Sequence, residues 1–308
     1  MRPGSASALP LSGGWSKRDR AFYATVAPFF VIFAVFSLFP VLFSLYLGFN
    51  RWDGFGRPEF VGLDNYLRAL DDPVFRKAIW NTFVVWIASA AATVALAFAL
   101  AVLVNEYVVV GRQYFRIVFL FPLLVAPAVS AVILRVMFSS NGGIVNTVIG
   151  AIAGEPFYFD WLGSEAWIKP LVVLLVVWRW TGWHFIIFLS GLQSISRDLH
   201  EAARIDGASR VQIFLHVTVP LMLPTLAFSI TNATLGGLQI FDEPFVLTAG
   251  TGGTDNATTT LGMYLYATAF TNFDFGLGSA VSWYIFTAIT LLTILYHRLL
   301  GRMSAGTA

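Results

Sequence analysis

The chain has 308 residues, 57% of them hydrophobic and only 12% charged, with a mean hydropathy of +0.73. A soluble domain of this size carries about twice that charged fraction, so the composition excludes a water-soluble protein and describes a polytopic membrane protein. The net charge of +2 says little about partners, and the lack of cysteine removes any disulfide framework, thiol nucleophile or thiolate metal site.

Residues 1–20 are polar and basic, with a low-complexity start over residues 5–14 that reads as a disordered cytoplasmic tail. The apolar run that follows is too long for the core of a cleavable signal. Crossing about 30 Å of hydrocarbon takes roughly 20 apolar helical residues. That ruler gives six spans inside a transmembrane domain of residues 21–308: about 22–49, 79–104, 115–138, 170–192, 222–247 and 277–300. The expected class is therefore an all-α membrane protein with six transmembrane helices. Pro28 and Pro40 predict a kink or a split in the first span. Eleven lysines and arginines fall on the side that carries both termini and six on the other, which makes the first side cytoplasmic.

Of the outer loops, residues 50–78 carry five basic and five acidic residues. Leu63-Asp64-Asn65-Tyr66 and Asp71-Asp72-Pro73-Val74-Phe75 read there as short interfacial helices with aspartate caps. This loop is either a lid over the spans or a contact for an external protein. The loop at 248–272 is rich in glycine and threonine and has no lysine or arginine. It follows a membrane span rather than a strand, so it is not a phosphate cradle. No Walker A sequence occurs in the chain, no cofactor is implied, and nothing points to nucleic acid.

The charged island at 196–224 interrupts two long apolar segments and reads as helix, break, helix. Ser196 caps the first helix with Asp198 near its positive end, and Gly207 supplies a left-handed closing residue. Ser209 and Gln212 have capping-box spacing for a second helix, which Pro220 disfavours continuing. Glu201-Ala202-Ala203, Asp206-Gly207-Ala208, Phe214, Pro220 and Pro224 closely resemble the "EAA" loop of ABC-importer permeases. Similar matches are Val61-Gly62-Leu63-Asp64-Asn65-Tyr66, Gly143-Ile144-Val145-Asn146 after span three, and Thr248-Ala249-Gly250-Thr251-Gly252-Gly253. In the last of these, the family's proline after the glycines is missing. The resemblance covers nearly the whole chain and is specific to the larger permease of carbohydrate importers of the maltose and sn-glycerol-3-phosphate type, without their extra external domain. It implies a type I importer permease fold with a cytoplasmic coupling helix, in a bacterial or archaeal cytoplasmic membrane. It also implies a second, homologous permease, two copies of a separate ATPase subunit and an extracytoplasmic solute-binding protein. Hydrolysis would belong to the ATPase, so the chain itself is expected not to be an enzyme. The coupling residues carried over are Glu201, Ala202, Ala203, Asp206, Gly207, Ala208, Phe214 and Pro220.

Ionisable groups within a span cost roughly 2.5–3.5 kcal/mol near its centre and mark functional candidates. Arg179 lies deep in span four, beside Trp180 and Trp183, and either faces a polar interior or bonds a neighbour's carbonyls. In span five Ser229, Asn232, Gly236, Gln239 and Glu243 are spaced three, four, three and four, which puts them on one helical stripe with Asp242 beside it. Amides and carboxylates can bridge vicinal hydroxyls while tryptophan covers a sugar's C–H face, so this stripe suits a path for a neutral carbohydrate. The alternative is that these groups only join helices. His184 reads as a histidine bonded to a neighbouring helix. The rival function is an ion-coupled secondary transporter or channel, which would need a charged relay at the midplane and no ATPase. A membrane enzyme lacks a nucleophile–base set.

Overall fold

The computed structural model describes residues 17–108 and 111–305; the tail expected at 5–14 lies outside them. Helix α1 (Lys17–Phe33) already contains residues 17–20, assigned above to the tail. It runs through a π-turn at Ala34–Leu38 into α2 (Phe39–Gly48), making one span, Phe22–Gly48. Pro28 is held inside the helix and Pro40 does not split it. The wider π-turn lies immediately before Pro40, where the ring would otherwise press on the preceding turn.

A two-stranded hairpin, β1 (Asn50–Arg51) and β2 (Glu59–Phe60), then leads to α3 (Asp64–Asp71). The aspartate caps differ from expectation. Leu63, not Asp64, holds the N-cap position of α3, without a side-chain bond. Asp72 does cap, accepting a bond from the Val74 amide at 2.7 Å, but the helix it starts is α4 (Pro73–Tyr107), the whole of span two. No separate interfacial helix exists there.

Span three is not straight. Helices α5 (Arg112–Leu124) and α6 (Pro127–Met137) meet at 90°. Pro127 causes the break: it forces Ala126 out of the helical region, to φ −55°, ψ 139°. After α7 (Ile144–Ala153), Asn146 holds the loop with bonds to the Phe159 carbonyl at 2.9 Å and from the Trp161 indole at 2.7 Å.

Span four is α8 (Glu165–Ser194), which packs along α4. The buried face of α4 carries Ser89, Thr93, Ala97 and Ala101 at four-residue spacing. Such a stripe of small residues lets backbones approach closely in lipid, where there is little hydrophobic force between helices. Gly182 serves the same end against α5: a Cβ there would sit 1.9 Å from the Phe119 carbonyl oxygen.

The elbow comprises α9 (Arg197–Ile205) and α10 (Arg210–Ile213). Pro220 does not end the second helix. A π-turn at Phe214–Thr218 absorbs it, and the helix continues as α11 (Val219–Leu238), so span five is Arg210–Leu238. The chain then breaks and forms α12 (Asp242–Leu247), α13 (Leu261–Tyr266) and span six, α14 (Phe275–Ala305). Among the described residues, five helices are long and apolar enough to cross a membrane, and six spans result if α5–α6 is taken as one.

Candidate functional site

The broken ends of spans three and five open a cavity of about 320 Å³ between α4, α6, α8, α11 and α12. Arg179 and Glu243, from different helices, meet at its wall: Arg179 Nη1 lies 2.5 Å from Glu243 Oε1, with side-chain exposures of 6% and 7%. The Trp180 indole donates to the same oxygen at 3.4 Å. Arg179 therefore satisfies its charge with a carboxylate rather than with backbone carbonyls. Asp242 and Gln239 line the same cavity and are exposed, and Asn232 and Gly236 line it from α11. Trp183 does not join them: it is absent from the lining and 39% exposed.

The single helical stripe expected in span five is not formed. Helix α11 ends at Leu238, Gln239 has φ −103° and ψ 10°, and Phe241 has φ −139°. Glu243 thus belongs to another helix, and Gln239 turns its amide back to the Leu235 carbonyl at 3.2 Å. Ser229 is fully buried and bonds His184 Nδ1 at 2.6 Å, the inter-helix bond expected of that histidine. The break nevertheless brings Asn232, Gly236, Gln239, Asp242 and Glu243 to one space.

The sequence reading missed the wall supplied by α4. Ser89 and Thr93 line the cavity one turn apart. A pair of hydroxyls at i and i+4 in span two was the available signal. Thr93 Oγ1 and Arg179 Nε are both buried without a hydrogen-bond partner. Two unmet polar atoms beside one cavity are what a site for a polar occupant presents.

At the other end of α8 and α11 the elbow forms as its local signals dictate. The Ser196 hydroxyl accepts from the Asp198 amide at 3.2 Å. Gly207 stands at φ +83°, and α9 closes with bonds from Gly207 N–H to Arg204 O at 3.1 Å and from Ala208 N–H to Ala203 O at 2.9 Å. That double bond pattern needs a left-handed residue at its turn, which glycine adopts without a Cβ clash. Ser209 and Gln212 form the capping box. Helix α9 buries none of its residues: Glu201, Ala202 and Asp206 are exposed and Ala203 is half-buried. Ala208 and Phe214 are half-buried, with the Phe214 ring 6.1 Å from Phe98, and Pro220 is exposed. Between α9 and the bases of α4, α5 and α8 lies an open cleft whose wall includes Glu201, Phe214 and Arg112. His200 ties the elbow to its own span through Thr218 Oγ1 at 3.2 Å.

One pair of helices, α8 and α11, therefore leads from the elbow into the cavity. From Ser196 to Arg179 the distance along α8 is roughly 25 Å at 1.5 Å per residue.

Residues 110–305 match the family described as the binding-protein-dependent transport system inner membrane component. This chain belongs to that family of membrane-spanning transport permeases. The permease is 34% identical over 272 residues to the lactose transport system permease protein LacF of Rhizobium radiobacter, covering 88% of this chain and 90% of that protein. It is 32% identical over 276 residues to the trehalose/maltose transport system permease protein MalF of Thermococcus litoralis, covering 89% and 91%. Its fold matches a chain in the crystal structure of a bacterial ABC transporter that imports the acidic polysaccharide alginate, with a TM-score of 0.80 and 22% identity over 93% of this chain and 96% of that one. The permease thus has the type I importer fold expected from its elbow. It is a multi-pass inner-membrane transport component rather than an enzyme family member.

Proposed function

We propose that the permease forms half of the path by which an ATP-driven importer carries a carbohydrate across the cytoplasmic membrane. The observation that carries this reading is that α8 and α11 connect the exposed elbow to the polar cavity. A displacement of the elbow would pass along two helices into the cavity wall. The cargo reading is supported by the cavity's mixture of amide, carboxylate, hydroxyl and indole groups, and by relatives named for lactose and for trehalose and maltose.

In this reading both termini and the elbow face the cytoplasm. Glu201, Asp206 and the alanines of α9 meet a groove of a separate ATPase subunit, present in two copies. Gly207 keeps the elbow's shape, Phe214 anchors it on Phe98, and the π-turn before Pro220 passes the motion into α11. The coupling energy is the difference in the elbow's contacts with the open and closed ATPase. A second, homologous permease supplies the other wall, and an extracytoplasmic binding protein delivers cargo to the far end.

Isolation of the intact complex from membranes tests the assembly. A second permease, an ATPase and a sugar-loaded binding protein should accompany the chain. A chain that purifies alone and still transports would favour an ion-coupled carrier.

A further inference from the structure

The charge balance of the cavity bears on which carbohydrates it admits. Its ionisable lining is Arg179, His184, Asp242 and Glu243. With the histidine neutral, this makes one positive and two negative charges. The positive one is already engaged, because Arg179 is buried against Glu243 and the Trp180 indole closes on the same carboxylate oxygen. Asp242 is exposed and follows Phe241 at the start of α12, where the chain has just left α11. An entering molecule therefore meets a free carboxylate and a guanidinium whose charge is already paired, with its Nε alone left without a partner.

We infer that the cavity wall is selective for an uncharged polyhydroxylated cargo and rejects uronates, sulfonates and phosphates, with Glu243 setting that choice by masking Arg179 and Asp242 enforcing it. This rests on the cavity being the cargo path. Sugar hydroxyls can donate to the Asp242 carboxylate and accept from the amides of Asn232 and Gln239. An anion would instead meet like charge in a space partly closed to water, where the repulsion is screened less than in bulk. Loss of the Glu243 charge would free the guanidinium, a planar donor that matches carboxylate and phosphate oxygens.

The chain has no cysteine, so a single introduced thiol reports the local potential directly. Gly236 lines the cavity, and a Cβ placed on it meets nothing within 4 Å, so Gly236→Cys fits without strain. The full chain in membrane vesicles is treated with methanethiosulfonates bearing a trimethylammonium or a sulfonate group, then purified and weighed intact. The cationic reagent should react about tenfold faster than the anionic one, relative to their ratio on free cysteine, as expected from one uncompensated charge nearby. Asp242→Asn should bring the ratio close to that of free cysteine, and Asp242→Asn with Glu243→Gln should invert it. Asp242→Asn alone is decisive if the double variant does not fold, since Asp242 is exposed. Reaction with both reagents at the free-cysteine ratio, or faster with the anion, overturns the charge selectivity and leaves the path reading standing. A thiol that reacts with neither reagent overturns the path reading itself.

Discussion

The two ends of the permease are built differently. At the elbow end, α9 buries nothing and its shape comes from bonds between residues at most five apart: the Ser196 cap, the Gly207 turn and the Ser209–Gln212 box. At the far end the bonds are long-range. Asn81 donates to the carbonyls of Asn256 at 2.8 Å and Thr259 at 3.0 Å, and the Leu261 amide donates to Thr82 Oγ1 at 2.8 Å. Tyr264 O–H donates to Asp72 at 2.7 Å, Arg68 pairs with Asp274 at 3.0 Å, and Lys77 pairs with Asp255. Burial, reinforced by the bond to Asp72, raises the Tyr264 pKa above its ordinary value. The glycine- and threonine-rich loop thus closes over the start of α4 as an ordered cap. A pre-shaped, exposed elbow suits docking to a moving partner, and a cross-tied far end suits a wall that moves as one body.

That contrast can be broken at specific residues. The largest effect belongs to the cavity between the two ends. Glu243→Ala leaves the Arg179 guanidinium buried and unpaired, which should cost about 3–5 kcal/mol, while Arg179→Met with Glu243→Met should recover most of it. Thermal unfolding in detergent reads both, and a double variant as unstable as the single one would show that the pair is not the cause. Next, Asn81→Ala takes the donor from the buried Thr259 carbonyl and one of two donors from the Asn256 carbonyl, at about 1–3 kcal/mol. Hydrogen exchange should rise across residues 252–261 and stay unchanged in the elbow. Exchange rising equally at both ends would erase the distinction drawn here.

Gly207→Val forces a side chain into the left-handed region at about 1–2 kcal/mol. It should lower uptake to less than a tenth while the chain remains in the membrane, because the turn is local and its distortion does not reach the cross-tied end. Normal uptake in this variant would remove the coupling role. The smallest effect is Ser196→Ala, which loses one cap at about 1 kcal/mol and should quicken exchange only in α9.

The same division explains what could be read from the chain. Ser196, Gly207, Ser209 and Gln212 act on neighbours in sequence, so the elbow was legible in detail. The apolar runs fell on the five long helices and the bent pair α5–α6, but the run expected at 222–247 outran α11, which ends at Leu238. The bends were not legible from length. Pro127 breaks span three, whereas Pro28, Pro40 and Pro220 sit inside continuous helices, two of them behind π-turns, and a proline alone does not say which will happen. The cavity residues were mostly named, but on a stripe that does not exist. Their meeting depends on the break after Leu238 and on the 90° turn that Pro127 sets between α5 and α6. Trp183 stays out of the cavity lining although it stands three residues after Trp180 and helix spacing puts the two on one face, so spacing alone did not decide it.

The central claim is that nucleotide-driven movement of the elbow opens the membrane path. Uptake of labelled cargo by proteoliposomes holding the isolated complex and supplied with the binding protein tests it most directly. The account predicts uptake that stops when ATP is withdrawn from the elbow side and continues when the proton gradient is dissipated. Uptake that survives without ATP and collapses with the proton gradient would contradict it.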